Sequence, residues 1–177
     1  MPTEILPIVI ISGPVGVGKT SVGGEISNIL EQRSIPHTFI DFDQLRYTFP
    51  RPTDDPWNNV LALENLKSVW SNCEKAGASN LIISYVVEEE SFLTELSKKI
   101  PSSATVIFQL SAPIGTLYSR IQRRENDSGL VWHQNRACEL LDILSRQSTP
   151  CDHRINTDHK QVTEIAVEIV DLVRWRL

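Results

Sequence analysis

The sequence lacks a hydrophobic run long enough to span a membrane. The longest apolar stretch near its start, Ile5–Ile11, is interrupted by Pro7, whereas a spanning helix needs about 20 apolar residues. No basic segment precedes that stretch, which argues against a secretory signal peptide. The sequence therefore predicts a protein without membrane contact that is located in the cytoplasm.

Positive charge and cysteine are also scarce. There are 17 Lys and Arg residues against 22 Asp and Glu residues, for a net charge of −5. A global basic field that could hold nucleic acid or an anionic lipid surface is therefore absent, although a local basic cluster could still bind a small phosphate.

The three cysteines, Cys73, Cys138 and Cys151, have neither CxxC nor Cys/His metal spacing, so we expect reduced thiols.

What the sequence does contain is an alternation of short apolar runs and amphipathic segments. Its length suits a single domain over residues 1–177. The apolar runs predict five strands, at 8–11, 38–40, 81–87, 105–110 and 153–156. Their apolar residues are mostly consecutive rather than alternating, as in strands that are covered on both faces of a parallel sheet.

Apolar residues between these runs recur at helical spacing. The resulting order, βαβαβαβαβα with one extra helix, predicts an α/β fold with a five-stranded parallel sheet and right-handed crossovers. Two segments interrupt the pattern: residues 48–58 hold three prolines, and residues 126–132 are expected to break a helical region. Loops that follow the strands of such sheets are where ligands bind.

The strongest motif, Gly13–Thr20, follows the first strand and matches G-x-x-x-x-G-K-[ST] in full. Its glycines permit a tight loop whose backbone N–H groups face phosphate oxygens, and the next helix directs its positive dipole end to the same place. Lys19 would add positive charge to the β- and γ-phosphates of ATP, and the Thr20 hydroxyl can join a Mg²⁺ shell. The residues assigned to the nucleotide are Gly13, Pro14, Val15, Gly16, Val17, Gly18, Lys19, Thr20 and Ser21.

Two carboxylates, Asp41 and Asp43, follow the second strand, with Arg46 three residues further on. One carboxylate can bind Mg²⁺ while the other orients a substrate hydroxyl or takes its proton. Arg46 could hold a substrate anion or the transferring phosphoryl group. The alternative interpretation is a solvated turn with a helix cap, a role that would suit Asp43.

A third group of residues follows the fourth strand. Arg120 and Arg124 are four residues apart and therefore share one face of the predicted helix. Arginines at this place could clamp the ATP phosphates as the neighbouring break closes and excludes water. The alternative is a solvated basic face, which is the interpretation that we prefer for Arg123.

These three segments together resemble the small-molecule kinase branch of P-loop proteins, which includes adenylylsulfate, gluconate and shikimate kinases and chloramphenicol phosphotransferase-like proteins. The pattern as a whole, including Trp132-His133-x-x-Arg136, is most similar to bacterial kinase-like or AAA-family ATPases. The resemblance implies a three-layer fold of the nucleoside-monophosphate-kinase type, with strand order 2-3-1-4-5. Residues 84–88 lack the glycine-rich substrate loop of shikimate kinases, so no acceptor is carried over.

The resemblance also implies residue roles. Asp41 and Thr20 would lie near Mg²⁺, and Asp43 nearer the substrate hydroxyl. Arg120 and Arg124 would belong to a mobile lid over about residues 120–133, and Thr157 would lie in the turn near the adenine ring. We therefore expect an enzyme that uses ATP and Mg²⁺ to phosphorylate a hydroxyl of a small molecule.

One alternative function stays open: an ATP-binding regulatory or sensor protein without a phosphoryl acceptor. A GTPase switch would need NKxD and DxxG motifs, and the sequence has neither. The identity of the acceptor, the division of roles between Asp41 and Asp43, and the oligomeric state do not follow from the sequence.

Overall fold

The computed structural model describes residues 6–101, 103–124 and 127–177. Five strands form one sheet in the order β2-β3-β1-β4-β5, and every pairing is parallel. The predicted strand order is thus confirmed. The strands are β1 (Leu6–Ser12), β2 (Thr38–Asp41), β3 (Leu81–Ser84), β4 (Ser103–Ser111) and β5 (His153–Asn156).

Helices connect these strands and cover both faces of the sheet, which confirms the predicted three layers. They are α1 (Lys19–Gln32), α2 (Asn59–Lys75), α3 (Glu90–Lys99), α4 (Ile114–Arg124), α5 (Asp127–Ser145) and α6 (Val162–Leu172). A short 3₁₀ helix, Phe42–Arg46, follows β2 directly. No helix within the described ranges is long and apolar enough to cross a bilayer.

The central strand β1 divides its side chains between two cores. Val9 and Ile11 pack on the side of α1, α4, α5 and α6, whereas Ile8 and Ile10 pack on the side of α2 and α3. All four side chains are fully buried. A strand with apolar neighbours on both faces needs consecutive apolar residues, which is why the run was recognisable in the sequence.

The third strand is shorter than the apolar run predicted. It ends at Ser84, which pairs with Asp41, the last residue of its neighbour β2. After Asp41 the chain turns into the 3₁₀ helix. Pairing between β2 and β3 therefore stops at Ser84, although Tyr85 and Val87 stay buried. The Val87 N–H instead donates to Ser12 Oγ at 3.0 Å. Residues 85–88 therefore form a connection across the carboxyl edge of the sheet.

The two predicted interruptions differ in outcome. Residues 48–58 contain no helix, as their three prolines indicated. The expected break at 126–132 is wrong for residues 127–132, because α5 begins at Asp127 and continues through Gly129 and Trp132. Asp and Ser are favoured in the first turn of a helix rather than in its interior, so Asp127 and Ser128 mark a helix start and not a loop. Residue 126 lies outside the described ranges.

Candidate active site

The loop between β1 and α1 has the conformation that its glycines permit. Gly13, Gly16 and Gly18 have positive φ values of 142°, 82° and 103°, which residues with a side chain rarely adopt. A Cβ on Gly13 would also lie 2.6 Å from Leu110 O in β4. The loop therefore turns sharply at the carboxyl edge of the sheet, and α1 begins immediately after it at Lys19. Phosphate groups bind at such helix N-termini.

Lys19 lies against this loop. Its Nζ donates to Gly13 O at 2.8 Å and to Pro14 O at 3.1 Å. Burial lowers the pKa of Lys19 to about 8, although the neighbouring carboxylates of Asp43 and Asp41 oppose that change. Lys19 is thus held at the loop, close to both carboxylates, and its charged form is poorly hydrated.

Thr20 and Asp41 form the second part of the site. The Thr20 hydroxyl donates to Asp41 Oδ2 at 2.8 Å, and Asp41 Oδ1 accepts the N–H of Asp43 at 3.1 Å. These two bonds fix the plane of the Asp41 carboxylate and cap the 3₁₀ helix. The cap expected as an alternative for Asp43 is therefore supplied by Asp41. A hydroxyl and a carboxylate in contact are oxygen donors of the kind that Mg²⁺ takes alongside phosphates and water, so these residues fit such an ion.

Asp43 and Arg46 lie one turn further on, over an aromatic platform. Arg46 NH2 is 3.4 Å from Asp43 Oδ1, and its guanidinium lies over the rings of Phe42 and Tyr85, at 5.5 and 5.3 Å from their centroids. Its Nε is buried and has no hydrogen-bond partner among the described residues, and its buried NH2 has only the long contact with Asp43. Buried donors of this kind are costly unless a ligand satisfies them. Burial also raises the pKa of Tyr85, so this platform residue stays neutral.

The two lid arginines have different surroundings. Arg120 is bonded internally: it donates to Val17 O at 3.2 Å and to Thr157 Oγ1 and Thr157 O, both at 3.0 Å. Arg124 instead lines the cavity with Lys19, and its positive charge contributes to the lowered pKa of that lysine. Sequence reasoning treated the two as one clamp, but the structure brings only Arg124 to the cavity wall.

Thr157 is fully buried. Its hydroxyl donates to Ser111 O at 3.2 Å and accepts from Arg120. The Thr157 side chain therefore joins β4 and α4 beside the loop, and it does not line the cavity. Its assignment to the adenine end of a nucleotide stays a prediction.

A cavity of about 1010 Å³ brings the loop and the carboxylates together. It extends from Gly16–Thr20 past Asp41, Asp43 and Arg46 to the segment 56–59, and to Glu88 and Arg136 on the opposite wall. The volume is at the upper end of the range for small-molecule sites. Phosphate-binding, acidic and aromatic groups therefore share one space at the carboxyl edge of the sheet.

Comparison with protein families gives a match over residues 9–142 to the family described as AAA domain. The chain belongs to this family. The match covers the phosphate loop, Asp41, Asp43 and the three arginines of α4. All residues that line the cavity lie within the family region. No curated protein matches the sequence.

Several solved structures share the fold of this AAA-domain chain. A gluconokinase from Sinorhizobium meliloti 1021 has 20% identity and a TM-score of 0.60, covering 94% of this chain and 91% of that one. A tunicamycin resistance protein from Deinococcus radiodurans has 20% identity and a TM-score of 0.61, with 97% of each chain covered. An APS kinase from Mycobacterium tuberculosis has 20% identity and a TM-score of 0.60, covering 94% and 96%. At these identities the likeness shows the P-loop kinase fold.

Several residues that line the cavity were not among the site residues assigned from the sequence. Glu88 makes an ion pair with Arg136, and both residues line the cavity. Trp57 and Trp132 line the same space. These residues belong to three separate segments, and no spacing in the sequence joins them. The signal that could have found Glu88 is its position just after a central strand, where ligand-binding loops of α/β sheets begin.

Proposed function

We propose that this protein transfers the γ-phosphoryl group of ATP to a hydroxyl group of a small molecule. The observation that carries the proposal is the shared cavity: Lys19, the Thr20–Asp41 pair and Asp43 line one wall of a space that continues well beyond the loop to Trp57 and Glu88. A protein that only binds ATP has no need of that extension. The kinase fold of the structural relatives adds to this support.

The chemistry follows from the groups present. The acceptor oxygen attacks the γ-phosphorus, the bond between that phosphorus and the β–γ bridging oxygen breaks, and ADP leaves. Asp43 accepts the hydroxyl proton as the new oxygen–phosphorus bond forms. We assign this role to Asp43 because Asp41 already accepts bonds at both of its oxygens.

The remaining groups stabilise charge. Backbone N–H groups of residues 13–20 and the Lys19 ammonium bind the phosphates, as expected for a loop at a helix N-terminus. Thr20 and Asp41 would hold Mg²⁺, which when bound neutralises phosphate charge. The buried Nε of Arg46, which has no hydrogen-bond partner among the described residues, and the guanidinium charge suit the oxygens of the transferring phosphoryl group.

Arg124 would approach the phosphates when nucleotide is present, as part of the lid expected over residues 120–133. Because residues 127–132 are helical, closure would be a movement of the start of α5 rather than the folding of a loop. Slower hydrogen exchange at residues 127–133 in saturating Mg·ATP analogue is the expected sign of closure. Arg120 supports the loop from behind.

Consumption of ATP in the presence of a panel of metabolites and antibiotics tests the proposed transfer, with the Lys19→Ala variant as the blank. We expect ADP release that depends on one acceptor class and that the variant lacks, although the variant folds normally. The sensor alternative predicts Mg·ATP binding without acceptor-dependent ADP release. The cytoplasmic location expected from the sequence stays a prediction.

A further inference from the structure

Beside the main cavity lies a second cleft of about 430 Å³. Its walls are formed by Trp57, Glu88, Trp132, Asn135, Arg136 and Glu139. Four of these residues, the two tryptophans with Glu88 and Arg136, also line the main cavity. The cleft is therefore continuous with the main cavity through these four residues.

The charges of this cleft sum to a negative value. Arg136 NH1 is 2.8 Å from Glu139 Oε2, and Arg136 NH2 makes an ion pair with Glu88. One guanidinium thus faces two carboxylates. Its charge is already matched, so an anionic ligand would meet an excess of negative charge, whereas a cation would restore the balance.

Two exposed indole rings lie in the same cleft. Trp57 is on the proline-rich segment and Trp132 is on α5, and each is 53% exposed. Neither ring contributes to the two hydrophobic cores. Indole faces attract cations through the ring quadrupole, more strongly than the faces of other aromatic side chains. Aromatic rings together with unbalanced carboxylates are a chemistry that selects positively charged groups.

We propose that this cleft binds a cationic group of the phosphoryl acceptor, a protonated amine or a quaternary ammonium, while the acceptor hydroxyl lies at Asp43. This inference rests on the proposed kinase function and names its substrate class: hydroxyl compounds that carry a positive charge. The Trp57 and Trp132 rings contact the charged group, and Glu88 and Glu139 supply the opposite charge.

Matched pairs of alcohols that differ in charge test the assignment. The probes are glucosamine with N-acetylglucosamine, and choline with 3,3-dimethylbutan-1-ol, its neutral carbon analogue. Binding is followed by intrinsic tryptophan fluorescence in the presence of Mg·ADP, at constant ionic strength. We expect the charged member of each pair to bind at least about tenfold more tightly, in line with a cation held by an aromatic face and a carboxylate. ADP release with Mg·ATP is then measured for the same four compounds.

Substitutions locate the effect. Trp132→Phe and Trp57→Phe each remove the fluorescence of one indole ring of the cleft. Glu139→Gln removes one carboxylate, and because the Glu139 side chain is exposed the substitution leaves the core unchanged. Glu139→Gln combined with Glu88→Gln should reduce the preference for charged members about tenfold. Glu95→Gln is the matched control, since Glu95 makes a similar i,i+3 ion pair, with Lys98 at 2.6 Å, outside both cavities.

The outcomes separate this inference from the proposed function. Equal binding of charged and neutral members, or tighter binding of the anion gluconate, overturns the cation assignment even if some acceptor stimulates ADP release. Preferential binding of charged members that survives the double glutamine substitution also overturns it. Preferential binding that the substitutions abolish supports the cation assignment. If that result is obtained but no compound of any panel stimulates ADP release, the proposed kinase function is wrong and the cation assignment stands.

Discussion

The two ends of the cavity are built in different ways. At the phosphate end, side chains are already held by the protein: Lys19 by the loop carbonyls, Thr20 by Asp41, and Arg120 by Thr157. At the other end, which we propose binds the acceptor and therefore call the acceptor end, Trp57 and Trp132 present half-exposed rings that no core covers. At the first end these three side chains are in place without a ligand, whereas the second end offers surfaces that a ligand would cover.

This difference follows from what each end has to recognise. A phosphate chain is the same in every cycle, and a rigid site that needs no reorganisation binds and stabilises it best. In the proposed function the acceptor end would determine specificity, and the residues that line it come from the segment 46–59, the connection 85–88 and α5. These segments can diverge without changing the phosphate loop. We therefore expect substitutions at the two ends to have separable effects, which range from a large loss of turnover to a modest change in affinity.

The largest effect is expected for Asp43→Asn. The amide keeps the shape of the side chain, but it cannot take a proton, so kcat should fall by about 10²–10⁴-fold. The affinity for Mg·ATP should change little, because Asp43 acts mainly in the transition state. Steady-state kinetics with an identified acceptor, together with nucleotide titration, measure both values.

Asp142→Asn is a suitable control, because Asp142 on α5 makes an exposed ion pair with Arg146 and does not line the cavity. Full phosphoryl transfer by Asp43→Asn would contradict the assignment and leave Asp43 as a partner of Arg46 alone.

Arg120→Met should break the internal support of the phosphate end. Arg120 joins Val17 to Thr157 through three hydrogen bonds, and the substitution leaves the buried Thr157 with fewer partners. Hydrogen bonds to charged groups contribute about 1.5–3 kcal/mol, so the free energy of unfolding should fall by that amount. Urea unfolding without nucleotide measures it.

Arg123→Met on the same helix is the control, since Arg123 is exposed. If Arg120→Met kept its full stability but lost the stabilisation by Mg·ATP, Arg120 would act on the nucleotide directly and the support role would be wrong.

A smaller effect is expected at the acceptor end for Asp55→Ala. The Asp55 carboxylate accepts the N–H groups of Asn59 and Val60, both at 2.8 Å, and so caps α2. Losing a cap costs about 1 kcal/mol, and it should loosen the adjoining segment that carries Trp57. The KM for the acceptor should rise while the Kd for Mg·ATP is unchanged, and a parallel loss of both affinities would show that the two ends are coupled.

The phosphate end could be predicted from the sequence, and the reason is local. Residues 13–20 form one continuous segment, a loop followed by the first residues of α1, and Asp41 ends a recognisable strand. The order of residues along the chain therefore suffices to assign both to the carboxyl edge of the sheet. The order of the strands came from the resemblance to P-loop kinases, and the sheet confirms it.

The acceptor end could not be predicted in the same way. Glu88 and Arg136 are 48 residues apart in the chain, and they meet only because β3 and α5 reach the same edge of the cavity. Arg120 shows a second limit of prediction from the sequence. Its spacing from Arg124 placed both on one helical face, but only the folded chain shows that Val17 and Thr157 occupy its donors.

The smallest expected effect is a pH dependence of nucleotide binding. In the free protein, burial lowers the pKa of Lys19 to about 8, so the lysine loses its proton as the pH rises through that value. Bound phosphate favours the charged form and raises the pKa, which means that binding above pH 8 takes up a proton. By linkage, the Kd for Mg·ADP should increase about threefold between pH 7.5 and 8.5. Titration calorimetry in two buffers of different ionisation enthalpy measures the uptake, which Lys19→Met should abolish. Equal uptake by the variant would assign the proton to another group, and Lys19 would then bind phosphate with its charge unchanged.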